Sequence, residues 1–170
     1  DGFLSNHPER SRAMIIESGN PVHSLAESDK FRAAMRAAEL TVVIDVVHTE
    51  TTEQADWILP ASSQYEKAEA TFFGANFPAN TFHLRQAILE PLEGTLTEPE
   101  MHSRLVQASG VLDGLDLGPL REAAKQGLDT FSEAFMAAAM ENSAISAYGA
   151  VVLYETLGKS LPQGKEGAAV

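Results

Sequence analysis

Residues 40–60 read LTVVIDVVHTETTEQADWILP, and this stretch decides the fold. It opens with β-branched residues over positions 41–44 and an aspartate at 45, turns polar at HTETTEQ, and closes with WILP, a second short apolar run that ends at Pro60. A near-continuous apolar strand is typical of a parallel sheet whose faces are covered by helices. We therefore predict two strands joined by a polar turn.

A strand and a helix are predicted before this stretch. Residues 13–18, AMIIES, form a short apolar run that ends at GNP, a strong turn signal. The following residues are helical in pattern, because an apolar stripe recurs at i, i+3, i+4 and i+7, formed by Phe31, Ala34, Met35 and Ala38. Strand, helix and strand within about thirty residues make a βαβ unit. The predicted fold class is α/β, with a Rossmann-like, three-layer parallel sheet.

The chain changes character after residue 61. Residues 62–94 are rich in aromatic residues, Asn, Gly and Pro, which predicts an irregular or β-hairpin excursion with TFHLRQAIL as its strand. Thr97 and Glu100 have the spacing of a capping box, and Gly110 ends the helix that follows. Apolar residues at helical spacing predict further helices over residues 117–140 and 144–157. We predict an α/β domain over residues 1–110 and a helical extension of the same domain over residues 111–170.

Composition limits the classes of function. With 170 residues, 44% of them hydrophobic, the chain is long enough for one globular core. A net charge of −12 argues against binding of nucleic acid or of anionic membranes, which need a cationic surface. The chain has no cysteine, which excludes disulfides and thiolate metal sites within it and fits a reducing, cytoplasmic location. No apolar run reaches the length of a membrane span, and a start at Asp1 without a methionine suggests an internal fragment of a longer protein.

Four residues are candidates for a ligand site. In open parallel sheets, ligands bind beyond the carboxyl ends of the strands. Gly19 there lets a backbone approach a phosphate closely, and the Asn20 amide can donate to an oxygen. The alternative, which the residues alone favour, is that Gly-Asn-Pro is a simple tight turn. Asp45 ends the second strand, where its two oxygens can accept from ribose hydroxyls or a guanine edge, and Thr49 can add a hydroxyl; the alternative for Asp45 is a cap on the following turn.

The remaining polar residues form no recognisable catalytic motif. The five histidines form no HExxH pair and no metal-ligand spacing, and the serines show no GxSxG motif. The GxGxxG and P-loop signatures are also missing. The residues alone thus predict an α/β module with a nucleotide site at the strand ends.

The order GNP, VVIDVVHTETTEQADWILP, SSQYEKAEATFF and FHLR resembles the molybdopterin oxidoreductases of the dimethyl sulfoxide reductase superfamily, which includes formate dehydrogenases and nitrate reductases. Members carry a GNP-like turn, a strand ending in Asp, a Thr-Glu-Thr turn, Ala-Asp-x-x-Leu-Pro, and Glu-Lys before an aromatic-rich segment. EKAEATFF departs from the commoner Glu-Lys-x-Gly-Thr pattern. The resemblance spans residues 13–110.

The resemblance implies a segment of a molybdenum oxidoreductase that holds the guanosine end of a molybdopterin guanine dinucleotide. Asp45 and Thr49 match the positions that contact the guanosine, and Gly19 and Asn20 match the loop near the dinucleotide. The metal ligand and any iron–sulfur cluster are expected outside this segment, so its partner is the remainder of the parent oxidoreductase. The alternative is a non-catalytic α/β interaction module whose helical tail, residues 117–157, docks on a partner.

Overall fold

The computed structural model describes residues 2–71, 78–162 and 165–170. The chain divides into two compact units. The sheet unit comprises Asp1–Ala61 with Glu93–Thr95, and the helical unit comprises Ser62–Leu92 with Leu96–Val170. The predicted division of the parent domain at residue 110 stays a prediction.

The sheet unit contains the predicted parallel sheet. Its three strands lie in the order β1-β2-β3, and both neighbouring pairs are parallel, over Ala13–Glu17, Leu40–Asp45 and Trp57–Pro60. A short helix, α1 (Pro21–Ser24), and a longer one, α2 (Ser28–Ala37), connect β1 to β2. The prediction of an α/β fold with a parallel sheet is confirmed.

The core of the sheet unit lies between the helices and one face of the sheet. Val22 of α1, Met35 of α2 and Val43 of β2 are buried and in mutual contact, and Met14 and Phe31 pack around them. Met35 and Phe31 belong to the stripe predicted from the sequence. Burial of such side chains stabilises the packing by about 1.5–3 kcal/mol each.

Asp56 joins the start of β2 to the start of β3. Its carboxylate accepts a hydrogen bond from the Thr41 backbone N–H at 2.7 Å, and its own N–H donates to the Thr41 carbonyl at 2.9 Å. Asp56 therefore sets the register of the two strands. A 3-10 turn, Thr52–Gln54, lies in the loop between them.

The helical unit begins with a pair of short antiparallel strands, β4 (Glu69–Thr71) and β5 (His83–Arg85). This pair agrees with the predicted hairpin excursion. Phe72, Phe73 and Phe77 of the aromatic-rich segment lie outside the described residues.

Five helices follow the strand pair: α3 (Glu98–Ser109), α4 (Gly118–Gln126), α5 (Leu128–Glu141), α6 (Ser143–Ala147) and α7 (Gly149–Thr156). Short 3-10 turns, Gly158–Ser160 and Glu166–Ala169, complete the chain. Phe131, Leu120, Ile145 and Val152 form the buried centre between α4, α5, α6 and α7. The predicted helical C-terminal part is thus confirmed. None of the helices described here is both long and apolar enough to span a membrane.

The structure corrects three details of the predicted helices. The predicted helix over residues 117–140 is two helices, because Gly127 between them has φ 125° and ψ 169°, a conformation available essentially only to glycine. The predicted helix over residues 144–157 is likewise interrupted, at Tyr148. The capping box is also wrong: Thr97 precedes α3, but its side chain makes no capping hydrogen bond. Gly110 does end α3 in the left-handed conformation, with φ 72°.

Candidate functional site

The carboxyl ends of β1 and β2 lie side by side. The register pairs Glu17 with Ile44, and the Ser18 backbone N–H donates to the Ile44 carbonyl at 3.0 Å. The chain then turns at Ser18, which has φ 51°, a left-handed conformation uncommon for a non-glycine residue. The turn at Gly19 therefore begins next to Asp45, as the parallel sheet predicts.

The Asp45 carboxylate is oriented by its own loop. Its Oδ1 accepts hydrogen bonds from the backbone N–H groups of Val46 at 2.7 Å and Val47 at 3.4 Å. Among the residues that the structure describes, Oδ2 has no hydrogen-bond partner. Asp45 is therefore a turn cap, which was the alternative prediction, and it also keeps one acceptor oxygen free at the strand end.

Thr49 and Thr52 hold the polar turn through reciprocal hydrogen bonds. The Thr49 Oγ1 accepts from the Thr52 N–H at 3.2 Å, and the Thr52 Oγ1 accepts from the Thr49 N–H at 2.7 Å. The Thr52 hydroxyl donates to the Thr49 carbonyl at 2.8 Å. Because the Thr49 hydroxyl acts here as an acceptor, its proton remains able to donate to a ligand.

Asn20 is bonded to the polar turn. Its Nδ2 donates to the Glu50 Oε2 at 2.7 Å, and its Oδ1 accepts from the Thr51 hydroxyl at 2.7 Å. The Thr51 Oγ1 in turn accepts from the Val22 N–H at 3.1 Å. The structure thus joins Asn20 to this turn. Within the described residues, no hydrogen bond joins it to Asp45 or to Thr49.

Glu50, Thr51 and His23 are residues of this site that the sequence did not predict. The His23 Nδ1 lies 3.5 Å from the Glu50 Oε1. The pKa of Glu50 is lowered from its ordinary 4.5, chiefly because the Asn20 amide donates to the carboxylate, with a further contribution from the Glu50 backbone N–H. Burial opposes this shift, whereas the nearby His23 and Arg32 favour it. The feature of the sequence that indicated a role for Glu50 and Thr51 was the polar turn Thr49-Glu50-Thr51 itself.

Gly19 is not required by the packing of this chain. A Cβ atom built at Gly19 would lie 3.7 Å from the Glu17 carbonyl oxygen and 3.9 Å from the Pro21 Cδ, which are ordinary contacts. Its φ is not in the left-handed region. An unneeded glycine at this turn is consistent with close approach of a ligand to the backbone.

The molybdopterin oxidoreductase family profile matches residues 3–91 of the chain, which include β1, β2, β3 and all four candidate residues. The chain belongs to this family. A nitrate reductase of Symbiobacterium thermophilum is 38% identical over 79 residues, which cover 46% of this chain and 10% of that protein.

Two further relatives match this chain over 103 and 99 residues. The probable oxidoreductase YoaE of Bacillus subtilis is 30% identical over 60% of this chain and 15% of its own length. A trimethylamine-N-oxide reductase of Vibrio cholerae is 26% identical over 58% of this chain and 12% of its own length. The chain therefore spans only a small part of the curated relatives that it matches.

The Glu-Lys pair of the molybdopterin oxidoreductase motif is structural in this chain. The buried Glu66 accepts from the Ser63 N–H at 2.6 Å and from the Leu92 N–H at 3.0 Å, and these bonds, led by the Ser63 N–H, lower its pKa. The Lys67 Nζ lies 2.6 Å from a Glu98 oxygen, with both side chains largely buried. Glu66 thus connects residues near both ends of the excursion, and Lys67 connects the excursion to the start of α3, all within the helical unit.

The donor set at the strand ends fits the nucleoside part of a cofactor better than a metal. Across residues 2–71, 78–162 and 165–170, no cluster of His, Asp or Glu side chains has the arrangement of a metal site. One free carboxylate oxygen and one free hydroxyl proton match the donors and acceptors of a base or ribose. The family implies a molybdopterin cofactor, and these residues offer it a carboxylate oxygen and a hydroxyl as hydrogen-bonding partners.

Proposed function

We propose that this chain holds the guanosine end of a molybdopterin guanine dinucleotide in a molybdenum-dependent oxidoreductase. The observation that carries the proposal is the Asp45 carboxylate, which stands at the carboxyl end of β2, beside the Gly19 turn, with Oδ2 free of partners among the described residues. This is the edge of a parallel sheet at which ligands bind.

Each candidate residue has a distinct role in the proposal. Asp45 accepts from the N1–H and exocyclic amine of guanine or from a ribose hydroxyl, and the turn N–H groups keep its carboxylate oriented. Thr49 donates its hydroxyl proton to the same nucleoside. Gly19 allows close approach of the backbone. Asn20 positions the TET turn through Glu50 and Thr51, and its second amide hydrogen remains for a phosphate oxygen.

In the parent protein, the bound cofactor supplies two-electron redox chemistry at molybdenum, while this chain binds and orients the nucleotide. We propose the remainder of that oxidoreductase as the partner of this chain. The lack of cysteine favours a cytoplasmic location.

A second candidate function is a non-catalytic α/β interaction module. Its support is the exposed apolar side chains of α5, Leu128, Met136 and Met140. A module of this kind needs no nucleotide, so substitutions at Asp45 distinguish the two functions.

The decisive experiment is Asp45→Asn in the parent oxidoreductase. Asparagine keeps an oxygen that can cap the turn but replaces the free acceptor by a donor, which opposes the donors of guanine. We expect the amount of guanine nucleotide retained per protein to fall about tenfold, because a mismatched hydrogen-bonding group costs about 1–3 kcal/mol and about 1.4 kcal/mol corresponds to a factor of ten. The readout is guanine nucleotide released by acid from the purified protein.

Glu53→Gln is the matched control for Asp45→Asn. Glu53 is an exposed carboxylate in the same loop, so this substitution removes the same charge without changing the proposed contact. We expect it to retain the nucleotide of the unmodified protein. Full nucleotide content in a folded Asp45→Asn protein would exclude the proposed contact and favour the interaction module.

A further inference from the structure

Helix α5 carries an apolar ridge on its exposed side. Leu128, Met136 and Met140 are 65%, 61% and 85% exposed, and with Ser132 they follow an i, i+4, i+8, i+12 row. The opposite side of α5 contributes Phe131 to the core of the helical unit. The helix is therefore apolar on two sides, of which the described chain covers one.

The ridge is less polar than its sequence suggests. The Ser132 hydroxyl donates to the Leu128 carbonyl at 2.8 Å, so its polar group is turned back to the helix backbone. Rows of residues spaced by four are the ridges that pack into the grooves of a neighbouring helix. Methionine side chains adapt readily to a partner surface. The geometry is that of a helix-packing surface.

Unpaired acidic groups lie along one side of the ridge. In the described part of the chain, the side chains of Asp129, Glu133 and Glu141 form no hydrogen bond or ion pair. On neighbouring α4, the exposed cation Lys125 is 2.6 Å from the Glu122 carboxylate and is thus already paired. The surface around the ridge is therefore negatively charged.

We propose that this α5 surface docks an amphipathic helix of a partner protein, whose apolar row is flanked by lysine or arginine. The negative charge beside the ridge distinguishes between the possible binding partners. A second copy would bring Asp129, Glu133 and Glu141 against the same residues, and like charges across an interface are unfavourable. An anionic lipid surface is repelled for the same reason. A basic amphipathic helix complements both the apolar ridge and the acidic row beside it.

The surface belongs to the helical unit and shares no residue with the proposed nucleotide site. It also lies outside residues 3–91, which carry the family match. Docking at α5 is therefore independent of the proposed nucleotide binding, rests on the second candidate function by naming the class of its partner, and is tested without the cofactor.

The test uses the full chain and a fluorescently labelled, designed helical peptide with leucines at every fourth position and flanking lysines. We expect saturable binding by fluorescence anisotropy. Met136→Glu with Met140→Glu is expected to weaken it about tenfold or more, as for central apolar contacts. Asp129→Asn with Glu133→Gln is expected to weaken binding and to reduce its salt dependence.

Thr130→Glu is the matched control, because it adds a negative charge to the same helix about 120° around from Met136, at about 100° per residue. It is expected to leave affinity unchanged, and circular dichroism verifies that every variant is folded. Binding that is absent, that survives the double methionine substitution, or that is equal for a peptide with glutamate flanks overturns the proposal. A dimer in sedimentation that is lost on substitution of Met136 overturns it in favour of a second copy.

Discussion

At the residue scale, the site combines what a local pattern predicts with contacts that no local pattern contains. Asp45 was predictable, because a buried apolar strand that ends in a carboxylate places it at the sheet edge. The bonds of Asn20 to Glu50 and Thr51 cross 30 and 31 positions of sequence. Which of several neighbouring polar side chains meets Asn20 depends on the conformation of the turn, so the sequence could not select Glu50 and Thr51.

Thr51 is the residue on which the turn depends most. It is fully buried, and its hydroxyl serves both the Val22 N–H and the Asn20 amide oxygen. Thr51→Val keeps the shape but leaves both groups without their partner. We expect this substitution to lower the free energy of unfolding by about 2 kcal/mol. Urea denaturation of the 170-residue chain measures the change.

Thr51→Ser provides the matched comparison, because it keeps the hydroxyl and removes only a methyl group. Its expected loss of about 1 kcal/mol is the smaller of the two. Equal losses for the two variants would show that the methyl group, and not the hydrogen bonds, accounts for the stability that Thr51 supplies.

At the element scale, hydrophobic periodicity predicted the strands and the helices but not every boundary. The apolar spacing of residues 117–140 continues through Gly127, so the period alone does not reveal that the chain turns there. The φ of 125° at Gly127 is a backbone property, and glycine permits it without requiring it. The capping box predicted from Thr97 and Glu100 is wrong for a different reason. The Glu100 carboxylate bonds to Tyr154 and Lys159, which are distant in sequence.

Glu100 joins α3 to α7 and to the turn that follows α7. Its Oε2 accepts from the Tyr154 hydroxyl at 2.6 Å and from the Lys159 Nζ at 3.0 Å, and Oε1 accepts from the Arg104 Nε at 2.7 Å. Burial alone would raise the pKa of Glu100, but these three donors outweigh burial and lower it from 4.5 to about 2. Burial, together with Glu100, raises the pKa of Tyr154 to about 12.

The Glu100 cluster predicts how stability depends on pH. A carboxylate whose pKa is lower in the folded state stabilises the fold above its unfolded pKa, and this contribution is lost as the pH falls. We expect Glu100→Gln to cost about 1–2 kcal/mol of unfolding free energy at neutral pH, after allowance for solvent screening. The difference from the unmodified chain should shrink as the pH falls from 4.5 towards 2. Urea titrations across that range measure it.

Glu122→Gln is the control for Glu100→Gln. Glu122 also pairs with a lysine, at 2.6 Å, but both side chains are about two-thirds exposed. An exposed pair of this kind contributes little, so the expected change is within about 0.5 kcal/mol. If the two variants lost the same stability at neutral pH, the interhelical role of Glu100 would be refuted.

At the scale of the whole molecule, the sheet has one face covered by helices and another with exposed apolar residues. The register aligns Ile15, Val42 and Trp57 across the three strands, on the face opposite Val43. Ile15 and Trp57 are 57% and 66% exposed. The matched relatives are far longer than this chain, which aligns with 10–15% of the length of two of them. We infer that the remainder of the parent oxidoreductase, proposed above as the partner of this chain, packs on this face.

Substitution of Trp57 tests whether the parent protein buries this face of the sheet. In the chain alone, Trp57→Glu replaces an exposed side chain, so the expected change in unfolding free energy is within about 0.5 kcal/mol. In the parent protein, the same substitution would bury an unpaired charge and is expected to cost about 3 kcal/mol or more, seen as a lower melting temperature. Trp57→Phe keeps the apolar contact and is expected to melt close to the unmodified parent. If the parent protein tolerates Trp57→Glu as well as Trp57→Phe, this face of the sheet is exposed to water in the parent protein. The inference that the remainder of the oxidoreductase packs on it would then be wrong.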